Sequence, residues 1–409
     1  MGTLLTSWTN PARIIDPRKL TELSPRSQQR PLSLDESLID SSDCLHPVNR
    51  RGFLVSLLAA IASVCVGPTL DGSLRREQEL LAEPADITQR ISIDLHSHPG
   101  PLAGRNAFSS AARDMPAVFA DMKQGKLDAA RFCLVADRPV IRRESGRIRQ
   151  FRDPKPGELF RLAQSELDKV LKEIEGMRAL SPADVLAFKQ KGVPCGIVGF
   201  EGADALEGDL SRLPLFYDRG IRVIQLVHYR INELGDIQTE PPRHGGLTPF
   251  GRDVVKAMNR LGLMIDVAHA SSETVRGVLA ETRHPVLDSH TRPSARLTMS
   301  RARSDDDLRA VAKKGGVIGV WPIARKARGE TFDDFVKDID YVKSLVGVDH
   351  VGIGTDLNGI GQDTVVPTHK EFSLIPAGLL ARGFSESEVT RIIGENFMRV
   401  FREVTENRG

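Results

Sequence analysis

Ile91-Ser-Ile-Asp-Leu-His-Ser-His98 is a short apolar run that ends in two histidines, and related runs recur along the chain. On an extended backbone, residues two apart face the same side, so both imidazoles can bind one metal ion. An isolated His-x-His is a weak signal, because exposed histidine pairs are common in loops. The signal is strengthened by repetition, since metal-binding side chains follow further apolar runs at Glu201, His228, His269, His290 and Asp356.

Eight such apolar runs predict the fold. They have strand length and lie at residues 91–95, 130–135, 195–200, 221–227, 261–267, 285–288, 315–320 and 351–354. Amphipathic helical patterns separate most of them, at 157–176, 251–261, 272–280, 305–314 and 331–346, as expected for alternating strands and helices. We therefore predict an α/β protein built on a (β/α)8 TIM barrel, whose active site lies at the carboxyl ends of the strands.

The last part of the chain predicts C-terminal helices packed on this barrel. Residues 385–404 form one amphipathic segment, and Ser385 and Glu388 at its start have capping-box spacing. The 409 residues, 40% of them hydrophobic, suffice for one barrel of typically about 250 residues with insertions. We assign the barrel domain to residues 90–409.

Composition argues against nucleic acid as a partner. The formal net charge is +2, from 56 Lys and Arg against 54 Asp and Glu, so no general electrostatic attraction to phosphate is expected. One basic cluster is interpreted as a solvated loop, with contact to an anionic group as the alternative; it comprises Arg142, Arg143, Arg147, Arg149 and Arg152. Cys133 and Cys195 fall within apolar runs and are predicted to be buried thiols.

The first 89 residues are interpreted as targeting sequence. Residues 1–48 are polar and are predicted to be a disordered extension, and residues 71–89 a linker. Asn49-Arg50-Arg51-Gly52-Phe53-Leu54 precedes an uncharged apolar run to Val66, which is typical of a twin-arginine signal at residues 49–70. This run would span about 21 Å as a helix, against a hydrocarbon core of roughly 30 Å. A cleaved export signal and a periplasmic location are therefore expected; membrane association through residues 52–70 and a buried N-terminal helix are the alternatives.

The individual ligands can be interpreted from their surroundings. Glu201 ends the almost wholly apolar run Gly196-Ile-Val-Gly-Phe, where an ionised carboxylate is costly unless it is paired or metal-bound. Asp266-Val-Ala-His269 and Leu287-Asp-Ser-His290 share one arrangement, a strand end followed by a histidine. Each histidine alone is equally well explained as a hydrogen-bonded core residue. Their joint placement at strand ends favours a metal-dependent hydrolase.

Longer motifs carry a resemblance to a known family. They are Gly246-Leu-Thr-Pro-Phe-Gly-Arg-Asp-Val-Val, Asn259-Arg-Leu-Gly-Leu-Met-Ile-Asp-Val-Ala-His269 and Val351-Gly-Ile-Gly-Thr-Asp356-Leu-Asn-Gly, with Glu201-Gly and Asn396-Phe-Met-Arg-Val-Phe as further matches. With them, residues 90–404 resemble the renal (membrane) dipeptidases, binuclear zinc metallopeptidases of the amidohydrolase-like barrel superfamily. The resemblance implies hydrolysis of the amide bond of dipeptides by a metal-bridging hydroxide, and a homodimer.

The resemblance also implies roles for single residues. Two zinc ions per chain are expected, one held by His96 and His98, the other by His269 and His290, with Glu201 bridging both.

Three further residues would act on the substrate by the same resemblance. His228 would contact the substrate carbonyl or the tetrahedral intermediate. Arg301 would bind the C-terminal carboxylate, a task that suits a planar guanidinium. Asp356 would lie near the substrate amine and move a proton to the leaving group.

The chain departs from the family pattern at two positions. Position 98 is His where the family usually has Asp, which makes the site about one charge more positive. A more positive site should lower the pKa of the bridging water, yet hold the first ion less tightly or favour another metal. Ala302 replaces the family's Asn, and the neighbouring Arg303 is either a second cation for the carboxylate or a solvated residue at a helix start.

Two other functions remain open at this stage. One is a metal-dependent amidohydrolase that acts on N-acyl amino acids or lactones, since His-x-His is the first-strand motif of the wider superfamily. The other is an exported binding protein without catalysis. The second is disfavoured, because the ligand set His96, Glu201, His269, His290 and Asp356 is intact.

Overall fold

The computed structural model describes residues 90–98, 114–324, 329–359 and 363–408. The predictions for residues 1–48, 49–70 and 71–89 lie outside the described residues and stay predictions. Within the described ranges, no helix combines the length and the apolar character needed to cross a bilayer.

Eight parallel strands form the barrel, with a hairpin and one short strand added. In chain order the strands are β1 (Ile93–Ser97), β2 (Ala129–Val135), β3 (Ile141–Glu144), β4 (Arg147–Gln150), β5 (Cys195–Glu201), β6 (Ile221–Gln225), β7 (Met264–Asp266), β8 (Leu287–Pro293), β9 (Ala302–Arg303), β10 (Val317–Val320) and β11 (Val351–Ile353). Neighbours around the barrel follow the order β1-β2-β5-β6-β7-β8-β10-β11. A parallel bridge between Ser97 and Leu357 joins the last strand to the first. Each predicted apolar run overlaps one of the eight barrel strands, which confirms the (β/α)8 prediction.

Helices connect each barrel strand to the next, as parallel pairing requires a crossover. The connecting helices are α1 (Met115–Gln124), α2 (Glu158–Glu173), α3 (Pro182–Gln190), α4 (Arg212–Asp218), α5 (Pro249–Leu261), α6 (Ser272–Glu281), α7 (Asp305–Lys313) and α8 (Phe332–Val346). After β11 follow α9 (Leu374–Ala381), α10 (Glu386–Thr390) and α11 (Asn396–Glu406). Short 3₁₀ helices lie at Arg138–Val140, Asp204–Leu206, Val348–His350 and His369–Ser373. Several helices start at the predicted polar caps; the Ser271 side chain, for example, accepts a hydrogen bond from Thr274 N.

The arginine-rich stretch after β2 is a hairpin, so its interpretation as a loop is wrong. Strands β3 and β4 pair antiparallel, with Arg142 opposite Arg149. Ser145 and Gly146 both adopt positive φ, +48° and +79°, the conformation of a tight turn that matches the twist of two antiparallel strands. The arginines on the two strands are exposed, so their predicted solvation is correct.

The C-terminal segment is divided where one helix was predicted. The capping box is present, with Ser385 N donating to Glu388 Oε2 at 2.8 Å, but a π-helical turn at Arg391–Glu395 separates α10 from α11. A Cβ on Gly394 would lie 2.4 Å from the carbonyl oxygen of Ile91. The Asn396 amide donates to the carbonyls of Val348 and Val351 at 2.7 and 2.8 Å. The π-helical turn therefore lets α11 pack closely against the barrel.

Helix α11 packs its apolar face against the barrel strands. One buried cluster contains Phe397, Met398, Val400, Phe401 and Val404 of the helix together with side chains from seven strands: Ile93, Leu95, Ala129, Cys195, Ile197, Val223, Met264, Leu287 and Val317. The C-terminal helix is therefore part of the barrel core.

Replacing Phe401 by Ala should destabilise the whole barrel. The ring is fully buried, and truncating a buried Phe costs about 3–5 kcal/mol. Denaturant unfolding of the full chain followed by circular dichroism measures the loss. The matched control is Phe151→Ala, because Phe151 is 41% exposed and its loss should cost about 1 kcal/mol or less. Equal losses for the two variants would contradict the place of α11 in the core.

Candidate metal centre

The carboxyl ends of the barrel strands bring the predicted ligands together. Parallel strands end at one face of a barrel, so residues far apart in sequence meet there. His96 and His98 come from the end of β1, Glu201 ends β5, and the others belong to or follow β6, β7, β8 and β11: His228, His269, His290 and Asp356. All seven side chains are buried.

The Glu201 carboxylate lies at the centre of this group. Only 2% of the residue is exposed. Its two oxygens lie within 3.7 Å of five imidazole nitrogens: Oε1 is 3.5 Å from His96 Nε2, 3.5 Å from His228 Nε2, 3.3 Å from His269 Nε2 and 3.7 Å from His290 Nε2, and Oε2 is 3.4 Å from His98 Nε2. Every one of the five predicted metal ligands therefore belongs to one cluster.

The donor set fits divalent cations. Ligands bound at about 2.0–2.1 Å in a tetrahedral site lie about 3.3–3.4 Å apart, close to the shortest spacings around Glu201. Three groups of potential ligands have their donor atoms within 4.8 Å of one another: His96 with Glu201 and His290, His96 with His98 and Asp356, and Glu201 with His228 and His269. His96 Nε2 is buried without a hydrogen-bond partner. A metal ion would give this nitrogen a partner.

Neighbouring oxygens orient the histidine rings. Ser289 Oγ lies 3.2 Å from His96 Nδ1 and 3.0 Å from His290 Nδ1. The Cys133 carbonyl accepts from His98 Nδ1 at 3.0 Å. With the proton on Nδ1, the Nε2 lone pair of each ring faces Glu201, which is the tautomer that binds metal.

Charge and burial set the protonation of the cluster. Burial alone would raise the pKa of the Glu201 carboxyl, but His228 and His96 lower it well below its usual value. Burial and the charge of Arg301 lower the pKa of His269 well below its usual range. Burial, His96 and Arg301 do the same for His290. An ionised carboxylate beside the neutral imidazoles of His269 and His290 is the combination that metal binding needs.

His228 differs from the other histidines of the cluster because the Nδ1 side of its ring contacts a carboxylate. Asp137, just after β2, accepts from His228 Nδ1 at 2.8 Å and from Tyr229 N and Arg230 N at 3.0 and 3.1 Å. Burial would lower the pKa of His228, but the charges of Asp137 and Glu201 raise it to about 9. Asp137 was not among the predicted site residues, and its one signal in the sequence is its place two residues beyond the end of a barrel strand.

Backbone strain marks two of the predicted site residues. His269 and Asp356 adopt positive φ, +67° and +53°, a conformation uncommon outside glycine and often held at functional sites. Asp356 N donates to the His96 carbonyl at 2.7 Å, and Asp356 Oδ1 lies 3.1 Å from His98 Nε2. The chain after β11 is thereby tied to β1, and the Asp356 carboxylate reaches the cluster.

Arg301 reaches the cluster from the other side. One of its nitrogens lies 3.1 Å from His290 Nε2, another donates to Gln238 Oε1, and the guanidinium lies 5.7 Å from the centre of the Trp321 ring. Only 3% of Arg301 is exposed. Among the described residues no acidic side chain forms an ion pair with Arg301, so its charge is available to a ligand.

Arg303 does not join this site, and its interpretation as a solvated residue is wrong. It is fully buried, because β9 pairs with the end of β8. Its guanidinium binds Asp288 Oδ2 at 2.8 Å and the carbonyls of Ala270 and Val267 at 2.7 and 2.9 Å. With every nitrogen engaged, Arg303 holds the loops after β7 and β8 together and offers no second cation to a ligand.

A buried polar layer supports the cluster. Arg131 of β2 is fully buried and forms an ion pair with Asp266 of β7. Asp266 Oδ1 in turn accepts from Ser289 N at 3.1 Å. Asp94 accepts from Thr355 N at 2.9 Å and lies 3.1 Å from His369 Nε2. The sequence analysis missed these residues, since their partners lie on distant strands.

The cluster opens into a cavity of about 260 Å³. His98, Glu201, His228, His269 and Asp356 line it, and Arg301 forms part of its wall. Further walls come from Tyr229, Trp321, Ile323 and the β3–β4 hairpin. A volume of this size suits a small molecule.

Comparison with known proteins agrees with this geometry. The family model described as membrane dipeptidase, peptidase family M19, matches residues 161–409. Dipeptidase aclJ of Aspergillus oryzae is 33% identical over 225 residues, 53% of this chain and 53% of that protein. Dipeptidase 3 of Rattus norvegicus is 30% identical over 244 residues, 57% of this chain and 49% of that protein. The chain thus spans about half the length of the curated relatives it matches.

Solved structures share the fold. An amidohydrolase from Pseudomonas aeruginosa superposes with a TM-score of 0.65 at 27% identity, over 78% of this chain and 98% of that one. A metallo peptidase from Rhodobacter sphaeroides, liganded with a phosphinate mimic of L-Ala-D-Ala, superposes with a TM-score of 0.63 at 20% identity, over 77% of this chain and 99% of that one. The family match covers more than half of the chain and includes the segment from Glu201 to Asp356, and on this basis the chain belongs to the membrane dipeptidase family, peptidase family M19.

Proposed function

We propose that this protein is a metal-dependent dipeptidase that hydrolyses the amide bond of small dipeptides. The observation that carries the proposal is the buried Glu201 carboxylate, which lies within 3.7 Å of five imidazoles in a cavity that Arg301 also lines. Family membership and the dipeptidase names of the relatives support the reaction class.

Two zinc ions per chain are the proposed cofactors. His96 and His98 would hold one ion, His269 and His290 the other, and Glu201 would share an oxygen with each. Bound zinc would supply a Lewis acid for the scissile carbonyl and an acidified water as the nucleophile. His98 takes the place of an acidic ligand, and its Nδ1 contact with the Cys133 carbonyl supports ligation through Nε2.

Arg301 is proposed to bind the C-terminal carboxylate of the dipeptide. Its guanidinium is held between Gln238 and His290, so little side-chain freedom is lost when a ligand binds. A charged hydrogen bond in a buried wall is stronger than one at the surface. Binding by Arg301 also limits substrate length. A peptide that continued beyond its second residue would have no carboxylate at this point and would leave the buried arginine unpaired.

His228 is proposed to stabilise the negative charge that develops on the carbonyl oxygen. Asp137 holds its ring, so that Nε2 points at Glu201 and into the cavity. A protonated imidazole fixed in this way is a preorganised donor for an oxyanion.

Asp356 is proposed to move the proton to the leaving amine. Its carboxylate lines the cavity and lies 3.1 Å from His98 Nε2, next to the reacting bond if the metals are held as above. A carboxylate within hydrogen-bond reach of both water and amine can serve as base and then as acid.

Location and assembly are proposed from the sequence alone. The Arg50-Arg51 pair and the apolar run after it support export by the twin-arginine route to the periplasm, with residues 52–70 as a membrane anchor if the signal is retained. A homodimer is proposed from the family resemblance.

The full chain should cleave dipeptides in a metal-dependent way. We expect about two equivalents of zinc by elemental analysis, turnover of dipeptides such as Gly-Leu, and loss of activity with a chelator that added zinc restores. Assays of N-acyl amino acids and lactones alongside distinguish the alternative hydrolase. Turnover of those compounds without dipeptide cleavage would overturn the dipeptidase proposal in favour of the alternative.

Glu201→Gln should abolish both metal binding and activity. The amide lacks the charge that binds a cation between neutral imidazoles, so we expect at least 1,000-fold lower kcat, roughly 4 kcal/mol, and less than one metal per chain. Glu173→Gln on the exposed face of α2 is the matched control and should keep metal and activity. A Glu201→Gln protein with two metals and ordinary turnover would refute the shared ligand.

Asp137→Asn should lower kcat more than it raises KM. The amide can still accept from His228 Nδ1 but no longer supplies the negative charge that favours a protonated ring. We expect roughly 10- to 100-fold lower kcat with KM within about 3-fold, measured by steady-state kinetics with the metal content checked. Asp137→Ala should lower kcat further than Asp137→Asn, because alanine also removes the hydrogen-bond acceptor that holds the His228 ring. A purely structural role would instead reduce thermal stability in both variants and leave kcat per folded molecule unchanged.

A further inference from the structure

Two arginines on the β3–β4 hairpin line the cavity without a carboxylate partner. Arg143 and Arg147 are both cavity-lining and exposed. Among the described residues neither forms an ion pair; the Arg143 guanidinium has one weak contact, to the Gly146 carbonyl at 3.4 Å. An arginine that faces a substrate cavity with its charge unpaired is poised to bind an anion.

The other arginines of this cluster are already neutralised. Arg142 Nε donates to Glu144 at 2.7 Å, Arg149 pairs with Glu240 at 3.1 Å, and Arg152 donates to Glu158 at 2.8 Å. The Arg149–Glu240 pair joins the hairpin to the segment after β6, which also lines the cavity. The free charge on the hairpin is therefore confined to Arg143 and Arg147.

Strand geometry directs Arg143 toward the site. Arg143 lies directly opposite Ile148 across the hairpin, and such a pair shares one face of the sheet. Ile148 packs against the apolar cluster of Val140, Ile141 and Leu159, as does Tyr229. Arg142 alternates to the opposite face. Arg143 therefore stands on the face of the hairpin that packs against the barrel.

Tyr229 and Arg143 line the same cavity. Tyr229 follows directly after His228 and packs, like Ile148 of the hairpin, against the apolar cluster of Val140, Ile141 and Leu159. Both residues therefore border the space that a ligand beside His228 would occupy.

Arg143 and Arg301 approach the cavity from opposite sides. Around the barrel, β2 is the second strand and β8 the sixth of eight; the hairpin follows β2, and Arg301 follows β8. If Arg301 binds the C-terminal carboxylate, the residue before the scissile bond extends toward the hairpin. The two acids after β11, Asp356 and Asp363, also line the cavity and suit the free amine of that residue.

We propose that Arg143 binds an acidic side chain on the N-terminal residue of the dipeptide, so that substrates with Glu in the first position are preferred. The inference rests on the proposed dipeptidase function and adds to it the substrate class. The chemistry is a charge-assisted hydrogen bond between guanidinium and carboxylate at a partly solvated cavity wall.

The test compares matched dipeptides on the full-length, metal-loaded protein. Glu-Ala against Gln-Ala probes the first position, and Ala-Glu against Ala-Gln probes the second. We expect kcat/KM for Glu-Ala to exceed that for Gln-Ala by roughly 10-fold at low salt, and the ratio to shrink as ionic strength rises. Arg143→Gln should reduce the ratio to roughly 1–2 by removing the charge, chiefly through a lower kcat/KM for Glu-Ala. Arg142→Gln on the opposite face is the matched control and should keep the full ratio.

Several results would overturn the inference: a ratio near 1 in the wild-type protein, a ratio that Arg143→Gln leaves intact, an equal loss in Arg142→Gln, or a preference for Glu at the second position alone. Failure of the dipeptidase function itself would be distinct, since neither Glu-Ala nor Gln-Ala would then be cleaved. In that case the binding of reduced-amide analogues of the two dipeptides is measured by calorimetry. Tighter binding of the Glu analogue that Arg143→Gln removes supports the inference, and equal binding of both analogues overturns it.

Discussion

The structure depends on keeping one ionised carboxylate buried. Removing a charged group from water costs several kcal/mol unless opposite charges or hydrogen bonds compensate, and Glu201 is 2% exposed. Five imidazoles at the ends of β1, β6, β7 and β8 lie within 3.7 Å. Among them protonated His228 supplies an opposite charge, and a cation held by the other four would supply the rest. Only a closed barrel brings these strand ends to one point. Barrel closure and the candidate metal centre therefore require each other.

A second layer of polar contacts makes the cluster suitable for metal. Ser289 and the Cys133 carbonyl bind the Nδ1 atoms of His96, His290 and His98, so that the Nε2 atoms face Glu201. Below them the Arg131–Asp266 pair spans the barrel interior. Because Asp266 also accepts from Ser289 N, the orientation of the rings is tied to the packing of the barrel. The contacts that order the barrel interior thus also set the orientation of the histidine rings.

Positive and negative side chains lie on different sides of the cavity. This distribution gives the site its expected selectivity for the orientation of a dipeptide. Arg301 and Arg143 lie on opposite sides, and Asp356 and Asp363 follow the last strand. A dipeptide has carboxylate and amine groups at separate ends, so this distribution fits one orientation of the substrate. The proposed ligand His98 stands where the family resemblance predicts Asp and would make the centre more positive, which should favour anionic substrates over neutral ones.

The sequence by itself determined the barrel and the main side chains of the cluster at its carboxyl end, since apolar runs of strand length, helical periodicity and histidines at strand ends are local patterns. Tertiary structure decided the rest. Asp137 became visible as the partner of His228 only once β2 and β6 were placed in one barrel. Arg303 lies among charged residues in the sequence but is buried by the β8–β9 pairing. The hairpin depends on positive φ at Ser145 and Gly146. Pairing across the fold couples residues far apart in the chain, and periodicity carries no record of those partners.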